Sequence, residues 1–490
     1  MLADPAISAL RDDLLAADYT LDGVRGRLGS AALAGLGRNS TMAAASELGD
    51  AEDPQAELIR LWLLQQPVPA PRLRALRSLP ALRDAGLVDG ADHLRATVQL
   101  TPHGSDVRHG WICSDQTPLD GQPGMPRTDF VLGASPASTT LTQLVPPGHH
   151  GRVLDLGTGC GIQALHLDAD EIVATDLNPR ALDLARISLG LSGVRADLRQ
   201  GSLYEPVAGE RFDLILTNPP YVISPPTGDR LVYREGGFAG DGLMQEVVSA
   251  ASGHLLDGGR LVVLGNWAVT ERAWEERLAG WIPADCDAIV LERERLDPYE
   301  YIELWLADAG LAGTDAYPAR YAEWLDYFAA QGIRSVGLGW LALSRSGRGR
   351  PERRFESWPH AVHQPVGAAI GDFFDAIGPS RLPDDQFLAT RWRTRPGLVQ
   401  ETIGDPGAAD PQHLVLRQHD GLGRAVEAGT AVAAIVGACD GELPLGVLVG
   451  AVASLVDADP GALLAEVLSP LRTLVADGYL MSGPPTTSRG

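Results

Sequence analysis

Between residues 152 and 344, short apolar runs of strand length alternate with stretches of helical periodicity, and few architectures accommodate that alternation. Strands are expected at 152–156, 171–175, 196–200, 212–216, 260–265, 288–291 and 335–344, with helices at 161–167, 179–189 and 242–255. A strand, a helix and another strand favour parallel pairing, because a parallel neighbour is reached only through a long crossover. Such crossovers cover both faces of a sheet, so an α/β domain of seven strands is expected over about 127–350. An insertion at 299–331 separates the last two strands. Its aromatic residues Tyr301, Trp305, Tyr317, Tyr321, Trp324, Tyr327 and Phe328 admit two readings, a helical core of the insertion's own or the wall of a substrate cleft.

The flanks read differently. Leu10, Leu14 and Leu15 stand at helical spacing, Leu58, Leu61, Leu63 and Leu64 mark a second helical region, and a short helix at 71–77 precedes Leu87-Val88-Asp89-Gly90 and an extended run at 94–101. Helices followed by a hairpin with a glycine turn resemble a winged-helix module. The tail repeats the theme, with helices at 428–438, 445–455 and 462–475 closing on Asp477-Gly478-Tyr479-Leu480, which resembles the entry to a wing. The expected division is an N-terminal helical and winged-helix-like module at 1–126, the α/β domain at 127–350, a linker and packing segment at 351–410 and a C-terminal winged-helix-like module at 411–490. A Pro/Asp-rich linker is expected at 405–411.

A net charge of −23 excludes generic attraction to nucleic acid or an anionic membrane. One local exception is the cluster Arg345, Arg348, Arg350, Arg353 and Arg354, a candidate nucleic-acid contact; the chain has no lysine at all. The four cysteines, Cys113, Cys160, Cys286 and Cys439, are too dispersed for a zinc site or a disulfide scaffold and fit a reducing compartment. No apolar run approaches the roughly 18 residues of a membrane span, and the acidic start at Asp4 is unlike a secretory leader, so a cytoplasmic protein is expected.

Chemistry concentrates at three strand ends. The first strand runs into Asp155-Leu156-Gly157-Thr158-Gly159-Cys160-Gly161 and a helix, a glycine spacing that permits a tight turn and close approach of a ligand to the backbone. The second strand ends in Asp176-Leu177-Asn178, where a carboxylate suits a ribose diol and Asn178 before Pro179 suits a helix cap. Asp155 beside the glycines opposes a dinucleotide, since a pyrophosphate there would meet a negative charge. The fourth strand ends in Asn218-Pro219-Pro220-Tyr221. Its amide oxygen can accept a hydrogen bond from a planar NH2, Pro219 fixes the backbone, and Tyr221 offers a stacking face. His166 is read as a structural or exposed histidine in preference to a general base, and no cluster of ligands calls for a metal.

Glycine turn, acid and Asn-Pro-Pro-Tyr in this order resemble the class I S-adenosylmethionine-dependent methyltransferases. The resemblance implies a Rossmann-like fold and S-adenosylmethionine as cofactor. Asp155, Gly157, Thr158, Gly159 and Gly161 would hold its amino-acid end, Asp176 and Leu177 its ribose, and Ser202 and Leu203 its adenine. Asn218 would serve both cofactor and acceptor, and Asn218, Pro219 and Tyr221 would act in catalysis. Within the superfamily, Tyr233-Arg234-Glu235-Gly236-Gly237 and Gly240-Asp241-Gly242-Leu243 are similar to the release-factor glutamine methyltransferases, in a group that also holds small-subunit ribosomal RNA guanine methyltransferases. Asp129 to Gly133 and Ser138 to Leu141 resemble the segment that closes over the cofactor. The expected acceptor is a protein glutamine amide, for instance in a translation factor. The alternatives are the exocyclic amino group of an RNA or DNA base, reached through Arg345 to Arg354, and a cofactor-binding scaffold without catalysis.

Overall fold

The computed structural model describes residues 2–105, 108–122, 127–226, 238–406 and 412–482. Tyr233 to Gly237, part of the stretch likened to the release-factor enzymes, lie outside the described residues, as do 407–411 of the expected linker. The chain divides into two compact units, Met1–Thr142 with Gly148–Trp358, and Gln143–Pro147 with Pro359–Gly490.

The first unit is built on a sheet whose strands and helices run, in chain order, β1 (His150–Leu156), α1 (Ile162–His166), β2 (Ala169–Asp176), α2 (Pro179–Ser192), β3 (Asp197–Gln200), β4 (Phe212–Thr217), α3 (Gly242–His254), β5 (Leu255–Val269), α4 (Trp274–Ala279), β6 (Cys286–Leu296), α5 (Pro298–Asp308), α6 (Tyr317–Ala330), β7 (Ser335–Arg345) and β8 (Arg353–Ser357). In space the order is β8-β6-β7-β5-β4-β1-β2-β3. Strands β1 to β5 are mutually parallel, β7 pairs antiparallel with both β5 and β6, and β8 joins β6 in parallel. The sheet is thus Rossmann-like, with eight strands in place of the seven expected. The eighth, Arg353-Arg354-Phe355-Glu356-Ser357, hides its strand character because three of its five residues are charged and only Phe355 is apolar, a composition that suits a half-buried edge.

Apolar burial explains the layering. Leu154, Val173, Ile215, Leu261, Val263, Val290 and Leu341 from the strands pack with Met244, Val247, Val248 and Ala251 of α3 and with Trp274 and Leu278 of α4 in one cluster. Helix ends are written locally. Asn178 caps α2 by accepting from the Arg180 amide (3.0 Å), Pro179 opens that helix, and Gly193 ends it with φ of 69°. Asp297 and Glu300 form a reciprocal capping box at the start of α5.

The segment expected as a separate N-terminal module, 1–126, lies in the same unit as the sheet. The physical reason is the strand His109–Ser114, whose Trp111 and Cys113 amides donate to Ser192 and Ser188 on α2 (3.2 and 2.9 Å). Strands Val68–Pro69, Val88–Asp89 and His93–Ala96 form a small sheet in the order first, third, second. The extended run expected at 94–101 is broken after Ala96, and Gln99–Gly104 pairs instead with His109–Ser114. Leu10 and Leu14 are buried as expected, whereas Leu15 is half exposed.

In the second unit the helices expected in the tail appear as Thr430–Ala438, Leu445–Leu455 and Pro460–Ala476. Leu480–Ser482 pairs antiparallel with Trp392–Thr394, a strand from well before those helices. The expected linker at 405–411 joins two strands, Leu398–Ile403 and His413–Gln418, that pair with each other. The second unit takes in everything from Pro359 onward, with no division at that point. Among the described residues no helix is long and apolar enough to cross a membrane.

Candidate active site

The sheet reverses its direction of growth between β1 and β4, and in such sheets ligands bind beyond the carboxyl ends of the strands at that point. Register brings the chemistry-bearing turns to one level there. Leu156 is paired with Thr175 on one side and Thr217 on the other, so Gly157, Asp176 and Asn218 emerge side by side. Thr217 Oγ1 donates to the Leu156 carbonyl (2.7 Å), and the Gly157 and Thr158 amides donate to the Thr175 carbonyl (2.9 and 2.8 Å). The Gly201 amide donates to the Asp176 carbonyl (3.0 Å), which ties in the turn after β3.

These turns enclose a cavity of about 350 Å3. Of the residues singled out in the sequence, Gly157, Thr158, Gly159, Asp176, Leu177, Ser202, Leu203, Asn218 and Pro219 line it. Phe130, Val131, Leu132 and Gly133 close one side, with Phe238 and Leu243 at another. The first group is fixed by bonds no local pattern announces. Asp115 accepts from the Val131 amide (2.8 Å) and pairs with Arg180, while Asn178 Nδ2 donates to the Asp129 carbonyl (2.9 Å). Asp115 and Arg180 were missed in the sequence because they lie far apart along it.

The three glycines of the turn divide their work. All have positive φ, at 77°, 55° and 84° for Gly157, Gly159 and Gly161. A Cβ at Gly157 or Gly159 would meet nothing within 4 Å, whereas one at Gly161 would stand 3.2 Å from Leu189 and 3.3 Å from Ala185. The first two leave room for a ligand and the third lets α1 pack on α2.

Asp176 accepts from the Gly159 amide through Oδ2 (2.9 Å) and from the Asn178 amide through Oδ1 (2.8 Å). Burial raises its pKa, partly opposed by those bonds. Asp155 is not part of the wall. It is 1% exposed, accepts from Thr158 Oγ1 (2.6 Å) and the Ala164 amide (3.3 Å), and burial pushes its carboxyl up to about 7. Its place is under the turn, bracing Thr158 and the start of α1. Cys160 does line the cavity, with its thiol pushed up to about 12 by burial.

At the Asn218 end of the cavity, Asn218 Oδ1 is buried and has no hydrogen-bond partner among the described residues. A lone buried acceptor costs stability, about 1–3 kcal/mol, unless a ligand or water supplies a donor. Pro220 lines the cavity, but Tyr221 packs against the sheet core and edge-on to Trp305, with ring centroids 6.4 Å apart. The stacking face expected of Tyr221 is therefore turned to protein. The insertion's aromatics do not line the cavity. Tyr301, Trp324 and Phe328 are buried with Val222, Ile223 and Ala268, as the core reading expected, though the core is shared with the chain after Tyr221. His166 pairs with His103 (Nε2 to Nε2, 2.9 Å), its pKa lowered to about 4 by burial.

The arginine cluster does not form an open basic patch. Arg345 binds Asp285 (3.0 Å) and Asp257 (2.7 Å), and Arg348 binds Asp287 (3.0 Å). Arg353 donates to the carbonyls of Ala279, Ile282 and Pro283, and Arg354 faces Glu356 at 3.7 Å.

Residues 133–277 match the family model described as Methyltransferase small domain, and residues 16–99 and 380–482 each match a domain of unknown function. A release factor glutamine methyltransferase from Deinococcus radiodurans is 40% identical over 146 residues, 26% of this chain and 51% of the relative. Another of that name, from Bordetella pertussis, is 32% identical over 235 residues, 44% of this chain and 78% of the relative. A ribosomal RNA small subunit methyltransferase C from Salmonella arizonae is 26% identical over 200 residues, 39% of this chain and 51% of the relative. The chain spans about half the length of the first curated relatives it matches.

Proposed function

We propose, for a chain that belongs to the class I S-adenosylmethionine-dependent methyltransferases in the group of the release factor glutamine methyltransferases, that the methyl acceptor is the side-chain amide of a protein glutamine. The single observation that carries this reading is the buried, unpartnered Oδ1 of Asn218 on the cavity wall. It needs a donor, and a planar NH2 is one.

The wall fits the cofactor. Gly157 and Gly159 leave the backbone open to a ligand's amino-acid end, Asp176 offers carboxylate oxygens to a ribose diol, and Leu177, Ser202 and Leu203 supply apolar contact and a hydroxyl for an adenine. When bound, S-adenosylmethionine supplies an electrophilic methyl group on a positively charged sulfur. The chain's own part is orientation. Asn218 Oδ1 and the Pro219 carbonyl accept from the two N–H groups of the acceptor amide and fix its plane, so the nitrogen lone pair, otherwise delocalised into the carbonyl, is presented along one direction. Asn218 and Pro219 hold the NH2 while the nitrogen becomes acidic, and its proton then leaves to water, so no strong base is required of the site. Phe130, Val131, Leu132 and Phe238 give the cavity apolar walls around the bound groups.

An exocyclic amino group on a nucleic-acid base would satisfy the same clamp. The protein reading is preferred because the chain is strongly acidic and its arginine cluster is engaged internally. The test is transfer from methyl-labelled S-adenosylmethionine into a cell extract, followed by separate digestions. Label lost to protease and retained after nuclease is expected; label lost to nuclease alone contradicts the proposal.

A further inference from the structure

The turn that carries the clamp continues into Val222 and Ile223, and both are buried beneath the insertion helices α5 and α6. Three positions of α5 converge on this stretch. The Tyr301 hydroxyl accepts from the Ile223 amide (2.9 Å), the Trp305 ring stands edge-on to Tyr221, and the charge of Asp308 is close enough to add to the upward shift of the Tyr221 phenol. Positions i, i+4 and i+7 lie on one helix face, so α5 turns a single face to the turn. A second tie comes from the sheet. Val263 of β5 is paired with Thr217, which sets Asn266, three residues on, beside the Asn-Pro-Pro-Tyr turn. Asn266 is fully buried, and its amide bonds the Tyr301 hydroxyl (2.7 Å). Its Oδ1 has no hydrogen-bond partner, and exchanging the amide's O and N would keep the bond to the phenol while moving the orphan to nitrogen. The same insertion makes a further tie, in which the Tyr327 hydroxyl on α6 accepts from the Gly240 amide (2.8 Å), between the cavity-lining residues Phe238 and Leu243.

We infer that Asn266 and Tyr301, with Tyr327 on α6, are positioning residues that fix the acceptor turn, so that the insertion is the scaffold of the clamp and not an appendage to the sheet. The inference rests on the reading of Asn218 as an amide clamp. The link runs from Asn266, anchored on β5, through the Tyr301 hydroxyl to the Ile223 amide, five residues after Asn218. Misplacing a reacting group by a fraction of an ångström slows transfer without loosening the cofactor, because the glycine turn and Asp176 belong to other strands.

The test compares initial rates of labelled methyl transfer into extract protein at varied cofactor concentration for Tyr301→Phe, Asn266→Ala, their double variant and Tyr327→Phe, with thermal melting of each. Tyr301→Phe keeps the buried ring and removes only the hydroxyl. Tyr301→Phe and Asn266→Ala each lower the limiting rate about tenfold with the cofactor KM within about twofold of the parent, and the double variant is no slower than the worse single one because both act through one link. Tyr327→Phe gives a smaller loss of the same kind. Tyr317→Phe, a control on the same helix as Tyr327 with its ring against Tyr321, leaves the rate unchanged. A full rate in Tyr301→Phe, alongside lost turnover in Asn218→Ala, overturns the positioning role alone. A full rate in Asn218→Ala overturns clamp and positioning together. Losses that multiply in the double variant, or a fall in rate that tracks melting temperature in every variant including Tyr317→Phe, overturn the link.

Discussion

The two ends of the cavity are built by different means. At the cofactor end, Gly157 to Gly161 and Asp176 to Asn178 are held by bonds between neighbouring strands and within single turns, such as the Gly159 amide to Asp176 and the Gly157 amide to Thr175. At the acceptor end, Asn218 to Tyr221 is followed by a stretch whose support arrives from β5, α5 and α6, with Tyr301 lying 78 residues beyond the Ile223 amide it receives. A cofactor common to a whole superfamily can be served by a locally encoded site. The turn proposed to hold the acceptor takes its surroundings from an insertion. Binding and turnover should therefore separate cleanly by mutation.

The largest expected effect lies at the acceptor end. Asn218→Ala removes the unpartnered oxygen and should lower turnover on the order of 10²–10³-fold while calorimetric affinity for S-adenosylmethionine stays near that of the parent. Loss of affinity in parallel with rate would erase the distinction between the two ends. Next comes Asp176→Ala, which removes the proposed ribose acceptor and frees the Gly159 and Asn178 amides, and should weaken cofactor affinity by about 1.5–3 kcal/mol, roughly 10- to 150-fold. Unchanged affinity would show that the carboxylate is only a cap.

The glycines sharpen the contrast within the cofactor end. Gly159→Ala and Gly161→Ala each carry a left-handed backbone cost of roughly 1–2 kcal/mol. Gly159→Ala should add a further loss of cofactor affinity, because its Cβ enters the open cavity, while Gly161→Ala should add a loss in melting temperature, because its Cβ crowds Leu189 and Ala185. Equal effects on both observables would show that the division of work is absent.

The smallest effect concerns Asp155. Its carboxyl is raised by burial from the ordinary range near 4 to about 7, so between those values the folded chain holds a proton that the unfolded chain has released. Stability from this group is present below the unfolded pKa and is lost as pH rises through about 7. Asp155→Asn should flatten the fall in melting temperature over that window, and an unaltered slope would assign the fall to other groups.

The same contrast explains what the sequence made legible. Periodicity located the first seven strands, and the glycine turn, Asp176 and the Asn178 cap were readable because each is satisfied within its own turn or by an adjacent strand. The eighth strand was hidden because an edge strand with three charged residues in five lacks an apolar run. Asp115 with Arg180, and Asn266 with Tyr301, are long-range pairs whose members look like ordinary surface or core residues until the fold joins them. Tyr221 was taken for a stacking platform because Trp305, which meets its ring, belongs to an insertion whose placement no local signal gives.

The central claim is that Asn218 holds a protein amide for methylation. An N-methylated glutamine amide hydrolyses in strong acid to glutamate and methylamine, whereas a methyl group on a guanidinium or on a base nitrogen does not leave as methylamine under brief hydrolysis. Extract protein labelled by the parent chain from methyl-labelled S-adenosylmethionine should therefore release its label in acid as methylammonium, which distils as methylamine once the hydrolysate is made alkaline, and protein treated with Asn218→Ala should release almost none. Label that resides in protein from the parent and stays non-volatile after acid hydrolysis and alkalinisation would contradict the account.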